Sequence, residues 1–426
     1  MKHDFDALIV GGGPAGATAA ILLARAGWSV ALLEQQTFPR RKVCGECITA
    51  GSLAVLDFLG IGEAFARLAG PALRQVALYA GNRCIVAALP PLATGGHAWG
   101  RALGRDHLDS LLMAQARCAG ATIFQPLRAR KLEQWERGYR CVAGNRVDTT
   151  PITITASNII LADGSWTPQR ALLEPVRVPP RNADLLAFKA NFLDGALDPS
   201  TLPVLLFPGG YGGMVMADHG IVTLACCIRR DVLAAVRARC PNAPAAEAVY
   251  TYLIAQCEGV ETALRGARRE GVWLSVGPIR PGVRPAHPRP GVFAIGNAAG
   301  EAHPIVGEGI SMALQSAVLL CEQLTAPGAT AGTACKSATG RAYAAQWHRH
   351  FAQRIRMAAI FAHIAMRPVV APALLPVLQR WPALLTLSAR LAGKARPAQL
   401  SAGSSMAARV RAQLPDTSQR DMHEHV

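Results

Sequence analysis

An α/β chain with an inserted β-rich unit and a helical C-terminal tail is what the sequence predicts, on three observations. The first is the stretch Asp6-Ala7-Leu8-Ile9-Val10-Gly11-Gly12-Gly13-Pro14-Ala15-Gly16, an apolar run breaking into Gly-x-Gly-x-x-Gly and then into the helical stretch Ala17 to Ala26, closed by Gly27. A second strand, Ser29 to Leu33, ends in Glu34, so strand, glycines, helix, strand and acid follow in the order of a Rossmann-like dinucleotide unit. The second observation is that this strand-then-turn logic recurs at Asn158 to Gly164 and at Gly291 to Gly300. The third is the segment from Leu185 to Leu274, richer in strand and turn signals than in helix, which reads as a sheet inserted into the nucleotide unit.

Each remaining element has a local reason. Gly11 allows the tight turn, Gly13 lets the backbone approach a pyrophosphate, and Gly16 lets helix and strand pack closely. The helix start offers unpaired N–H groups and a positive dipole end to phosphates. A basic loop, Phe38 to Val43, leads to Cys44-Gly45-Glu46-Cys47 and a helix over Ser52 to Leu59. Residues Val76 to Pro90 alternate around Gly81-Asn82, a hairpin signal. Gly104 opens a helix to about Cys118, and Ala121–Phe124, Tyr139–Ala143 and Ile152–Ile154 read as strands layered on the core. A helix from Ile310 to Leu324 precedes an Ala/Gly/Thr linker into the tail.

Bulk composition narrows the function classes. Apolar residues make up 51% and charged residues 17%, the balance of a globular chain. The net charge of +16 is concentrated late: between Gln323 and Pro415 there are twelve Lys and Arg and no Asp or Glu. That tail also holds apolar stretches, Met357 to Met366 and Pro368 to Leu378, which favour peripheral contact with an anionic membrane surface over nucleic acid. A soluble helical tail with a solvated basic face is the alternative. The apolar runs are cut by Arg367, Arg380, Arg390 and prolines, short of the ~20 residues that span a bilayer. Asp4 and Asp6 flank the first apolar run, which does not read as an export signal, so a cytoplasmic location is expected. Eleven cysteines without such a signal are expected to be reduced. Cys44 and Cys47 carry redox-dithiol spacing, but a second pair for zinc and a second Gly-x-Gly-x-x-Gly for a nicotinamide donor are both missing; a loop beside the cofactor is the expectation, with no metal ligands.

These stretches together resemble FAD-dependent oxidoreductases of the para-hydroxybenzoate hydroxylase fold, in the branch of geranylgeranyl reductases, aromatic monooxygenases and flavin halogenases. Gly11 to Gly16 matches the first motif, Asp163-Gly164 with Thr167 and Arg170 the second, and Gly296 to Ala299 through His303 to Ile310 the third. Arg101 to Asp109 and Arg41 to Glu46 match two further family stretches. The resemblance implies FAD. It divides the chain into FAD-binding parts at 1–75, 100–180 and 275–325, substrate-domain parts at 76–99 and 181–274, and a basic helical tail at 326–426. It implies that Gly11, Gly13, Pro14, Ala15 and Gly16 hold the pyrophosphate, that Glu34 with Gln35 holds the adenosine ribose, and that Arg105 meets a phosphate or ribose oxygen. Arg41 would neutralise a phosphate, with Asp163 and Asn297 near the ribityl and pyrophosphate region. The family usually carries Asp where this chain has Asn297. Gly307, Glu308, Gly309 and Ile310 would lie against the isoalloxazine, the helix start facing its N1–C2 edge, where N–H dipoles stabilise the reduced anion. His303 beside that turn is the candidate for proton handling, and a structural histidine is the alternative.

The chemistry expected is that of an FAD-dependent monooxygenase acting on a hydrophobic aromatic or lipid-like small molecule in secondary metabolism or lipid modification, with NAD(P)H as candidate electron donor. A prenyl C=C saturase and a flavin-binding protein without turnover are the alternatives. The halogenase signature Trp-x-Trp-x-Ile-Pro is absent. Of the reductase signature Gly-Gly-Tyr-x-Trp-x-x-Pro, Gly209-Gly210-Tyr211 is kept, while Gly213 and Met216 replace Trp and Pro and open the substrate wall.

Overall fold

The protein is described by a computed structural model that covers residues 4–93, 96–136, 138–145, 151–165, 179–330 and 332–394. Thr167, Arg170 and the last stretch of the tail, 395–426, lie outside the described residues.

In chain order the first half runs β1 (Phe5–Val10), α1 (Pro14–Arg25), β2 (Val30–Leu33), β3 (Cys47–Ile48), α2 (Ala50–Phe58), α3 (Gly62–Leu68), β4 (Gln75–Ala80), β5 (Arg83–Ala88), β6 (Arg101–Ala102), α4 (Arg105–Cys118), β7 (Thr122–Phe124), β8 (Arg128–Trp135), β9 (Gly138–Gly144) and β10 (Ile152–Leu161). There follow β11 (Leu185–Leu193), β12 (Thr201–Phe207), β13 (Gly210–Met216), β14 (Val222–Arg229), α5 (Arg230–Arg239), α6 (Ala245–Gln256), α7 (Glu258–Leu264) and β15 (Arg268–Ile279). The chain then returns through β16 (Gly282–Val283), β17 (Val292–Ala294) and β18 (Gly300–Glu301) to α8 (Gly309–Leu324), α9 (Thr333–Met366), α10 (Val370–Arg380) and α11 (Ala383–Leu391).

The nucleotide sheet has the order β7-β2-β1-β10-β9-β8, with β17 also on β10. Strands β7, β2, β1, β10 and β17 are mutually parallel. Ala7, Leu8 and Ile9 are fully buried, so both faces of the strand are covered and the run is continuously apolar rather than alternating. The sequence suggested two strands at Ile152–Ile154 and Asn158–Ala162; they are one. The first part of β10 pairs antiparallel with β9, and its second part pairs parallel with β1 and β17. Two patterns of burial within one strand made it read as two.

The second sheet has the order β15-β11-β14-β13-β12-β4-β5, so the Gly81 hairpin joins the later insert through the parallel pair β4–β12. Alternation splits its faces. Phe188, Ala190 and Phe192 of β11 and Leu224, Cys226 and Ile228 of β14 pack with Val249, Leu253 and Val260 in one core with α6 and α7. Three helices in a segment that read as strand-rich are the main departure there: α5 to α7 are needed to cover that apolar face. The side chains between, Ala187, Lys189, Asn191, Thr223 and Cys227, belong to the opposite face.

Helix α9 was expected to begin a tail. Instead Tyr343, Trp347 and Phe351 are buried in the nucleotide-domain core, and the Tyr343 hydroxyl donates to Ala294 O at 2.7 Å. Leu375, Leu385 and Ala389 of α10 and α11 pack with Val76, Leu78 and Ile85 of the second sheet in one cluster.

Candidate functional site

The glycine turn is shaped by close approach. Gly11 has φ +108°, and a Cβ on Gly16 would stand 1.9 Å from Gly11 O. Gly13 differs: the nearest atom to a Cβ there is Arg105 Nη2, at 3.6 Å. Gly13, Pro14 and Ala15 line the central cavity, and no side chain caps α1. A ligand acceptor can therefore meet the helix start. Glu34, buried at the end of β2, accepts from Gly12 N and from Gln36 N, each at 2.8 Å. Gln35 beside it is exposed and is not part of the cavity lining.

Beside the turn lies a cationic cluster. Arg105 is bidentate to buried Asp109, both bonds 2.8 Å, and Arg40 stands 3.1 Å from the same carboxylate. Lys42 lines the cavity, and burial, with Arg40 and Arg105 adding to it, lowers its pKa to about 8. A cation depressed by like charges is relieved by an anion. The uncapped helix, the open side of Gly13 and this cluster together fit a diphosphate. Arg41, the loop cation expected there, turns elsewhere: it meets Asp106 at 3.4 Å and Glu270 at 2.9 Å, tying the loop to β15. Lys42 takes its place; spacing alone could not say which residue of Arg40-Arg41-Lys42 points inward.

Glu46 also went unassigned. It adopts φ 59°, accepts from Arg105 N at 3.1 Å and from Thr223 Oγ1 at 2.6 Å, and pairs with buried Lys189. This network joins the cofactor loop to the second sheet through its polar face. Lys189 is thus committed to Glu46 and does not line the cavity. All eleven cysteines are free; Cys44 and Cys47 both line the cavity, Cys44 Sγ accepting from Glu46 N and Cys47 Sγ lying 3.7 Å from Lys394 Nζ. Among the described residues one group with metal-ligating chemistry occurs, His107, Asp218 and His219, at the start of α4 and outside the cavity lining.

Asp163 lies two residues past the end of β10, in the turn that brings Gly164 and Ser165 to the cavity. Asn297 sits across from them. Its Nδ2 donates to Ser165 Oγ at 2.9 Å and to Glu301 Oε1 at 3.3 Å. Glu301 is buried, which raises its pKa, and Ser165 at 2.8 Å and Arg284 at 3.2 Å hold it. A buried acid thus stands four residues after Asn297, and an amide at 297 avoids setting two carboxylates together.

Gly307 is left-handed at φ +60°, and Gly309 and Ile310 bring the uncapped start of α8 to the cavity wall. Glu308 is buried at that start, and Lys394 Nζ donates to Gly307 O at 3.3 Å. His303 Nδ1 lies 3.0 Å from the Tyr211 hydroxyl. Burial, then the neighbouring His363, lowers His303 to about 4, so the imidazole is neutral at ordinary pH. Burial holds Tyr211 well above the usual phenol range, so its hydroxyl stays protonated and can donate to Nδ1.

One cavity of about 520 Å³ connects these parts. It runs past the glycine turn, the loop from His303 to Ile310 and the inner face of the second sheet, where Val204, Leu206, Tyr211 and Gly213 line it. It reaches the tail helices at Leu374, Leu378, Leu384 and Leu385.

The profile of the FAD binding domain family matches residues 4–353. The chain belongs to that family. The residues fit FAD as its cofactor, and membership places the protein among the FAD-dependent oxidoreductases. This FAD-binding chain is 26% identical over 412 residues to a menaquinone reductase from Mycolicibacterium smegmatis, covering 92% of each. The myxobacterial chondrochloren halogenase superposes with a TM-score of 0.71 at 17% identity, covering 97% of this chain and 98% of the other. A geranylgeranyl bacteriochlorophyll reductase-like protein from Thermoplasma acidophilum superposes with a TM-score of 0.67 at 19% identity, covering 91% and 99%. At these identities the likeness is one of fold, and it is the fold branch the sequence motifs implied.

Proposed function

We propose that the protein is an FAD-dependent reductase that saturates a C=C bond in the apolar chain of a lipid-like substrate, with NAD(P)H as electron donor. The observation that carries this is the protonation of the wall beside the His303–Ile310 turn. Hydroxylation of a phenolic ring benefits from a base that titrates near neutral pH. Here Tyr211 is held protonated and His303 is neutral down to about pH 4, so neither is such a base, and Lys42, the lining group lowered to about 8, belongs to the cationic cluster beside the glycine turn. Reduction of a C=C bond needs none. Bound reduced FAD would supply the hydride; the second hydrogen is a proton that the Tyr211 hydroxyl would give to the other carbon, regaining it from His303 in its Nδ1–H tautomer as Nε2 takes one from solvent. The apolar lining from Val204 and Leu206 to Leu374 and Leu384 suits a long hydrocarbon. The near full-length likeness to a menaquinone reductase supports a prenylated quinone as the first substrate to try.

The test is a single turnover without oxygen. Chain reduced by dithionite is mixed with a prenylated quinone, and flavin reoxidation and product mass are followed. Two extra hydrogens that stay in the prenyl chain after the quinone ring has been reoxidised in air, and that dithionite alone does not add, support the reading, and Tyr211→Phe should slow their addition with the flavin spectrum unchanged. Product that forms only after O2 is admitted, with oxygen incorporated, returns the reaction to oxygenation. FAD that neither NAD(P)H nor dithionite followed by substrate can cycle marks a passive binder.

A further inference from the structure

The two short helices that close the chain's described part are apolar on both sides. Leu375 of α10 and Leu385 and Ala389 of α11 face the second sheet. Yet Val370, Leu374, Val377 and Trp381 are exposed, and at 3.6 residues per turn they fall within about 60° of one another. Leu384, Leu387 and Leu391 form a second exposed stripe of the same width on α11. Val369 before them is 78% exposed and Trp381 between them 57%. A soluble helix presents polar residues on its outer side; these two present leucine, valine and tryptophan.

Charge says what covers this face. Exposed Arg367, Arg380 and Arg390 precede, end and lie within these helices, and no carboxylate occurs between Gln323 and Pro415. Apolar stripes on a segment whose only charged side chains are cations are the complement of an anionic lipid surface. No helix among the described residues is long and apolar enough to cross a membrane, so the helices would lie in the interface plane. Position adds a reason. Leu374 and Leu384 are exposed and also line the central cavity, so the cavity reaches the surface within this face.

We propose that α10 and α11 form a membrane-docking surface for anionic bilayers, through whose centre an apolar substrate enters the cavity directly from the lipid. This rests on the surface and holds whichever reaction the flavin carries out. Trp381 and the stripe of α11 enter the headgroup region, and the arginines contribute roughly fivefold each to binding at low salt.

The full chain loaded with FAD is floated with vesicles of phosphatidylglycerol and phosphatidylcholine, or of phosphatidylcholine alone, in 0.1 M and 0.5 M NaCl. Recovery should be at least tenfold higher with the anionic vesicles and should fall with salt. The doubly substituted Trp381→Glu/Leu387→Glu chain should lose at least tenfold in recovery while keeping its FAD content and melting temperature. Val272→Glu, at an exposed valine on β15, should float like the parent. Brominated lipid should quench the parent's fluorescence more than that of Trp381→Phe. Equal recovery from both vesicle types, or unchanged recovery of the double variant, overturns the proposal. So does a concentration-dependent dimer that the same substitutions dissolve and that leaves vesicles unbound, since a second copy would then own this face.

Discussion

Asn297→Asp installs the acid that the family resemblance leads one to expect, and the structure predicts that it harms this chain. The amide nitrogen now 3.3 Å from Glu301 Oε1 would become a carboxylate oxygen facing a carboxylate. At an effective dielectric of 20, two charges that close repel by about 5 kcal/mol. Arg284, 3.2 Å from Glu301, and protonation of one acid reduce this, leaving a net loss of about 2 kcal/mol at pH 8. The direction with pH follows from linkage. Glu301 already has its pKa raised by burial, and a second acid raises it further. An acid whose folded pKa exceeds its unfolded value loses stability as pH rises between the two. Thermal melts and FAD retention at pH 5.5 and 8.5 check this: the variant should match the parent at the lower pH and melt several degrees lower, with less flavin, at the higher. A variant that at pH 8.5 melts at or above the parent and holds as much FAD refutes the reasoning and favours the family residue.

Other substitutions separate binding from folding. Gly13→Ala should fold normally, having only Arg105 Nη2 at 3.6 Å to meet, yet lose FAD, whereas Gly16→Ala, clashing with Gly11 O, should fail to fold; circular dichroism with flavin fluorescence distinguishes them. Lys42→Met should weaken FAD binding about tenfold at pH 7 and remove a loss of affinity that the parent shows as pH rises through about 8, measured by fluorescence titration. Glu46→Gln strips the charge partner from buried Lys189 and should cost about 3–5 kcal/mol of stability in urea unfolding, with partial recovery in Glu46→Gln/Lys189→Met.

Legibility in the sequence followed the range of the interaction. The glycine turn, the Gly81 hairpin and the helix from Gly309 depend on neighbours within a few residues, and all were readable. The continuity of β10 was not, because its two parts have different partners and so different burial patterns. Helices α5 to α7 were missed because their apolar stripes make sense only against the sheet they cover. In the site, spacing singled out the glycine turn, of which Gly13 lines the cavity, and Glu34, which accepts from Gly12 N and lies outside the lining; Glu46, Ser165 and Glu301 depend on contacts across 143 residues (Glu46 to Lys189) and 136 residues (Ser165 to Glu301), beyond any local pattern. One signal was present: β11 alternates as Phe188-Lys189-Ala190-Asn191-Phe192, and a lysine and an asparagine on one face of a buried strand need partners. The long helix α9 read as tail because its buried Tyr343 and Trp347 stand in a basic, apolar stretch with no strand nearby in sequence.

Titration of flavin-depleted chain with FAD, followed by visible absorbance and protein fluorescence, bears most directly on the whole account. Saturation at a single FAD per chain, with a resolved flavin band that shifts when a prenylated quinone is added, is the predicted result. A chain that folds but takes up no FAD, or whose flavin spectrum ignores every apolar ligand, would contradict the claim that glycine turn, His303–Ile310 loop and apolar wall share one cavity.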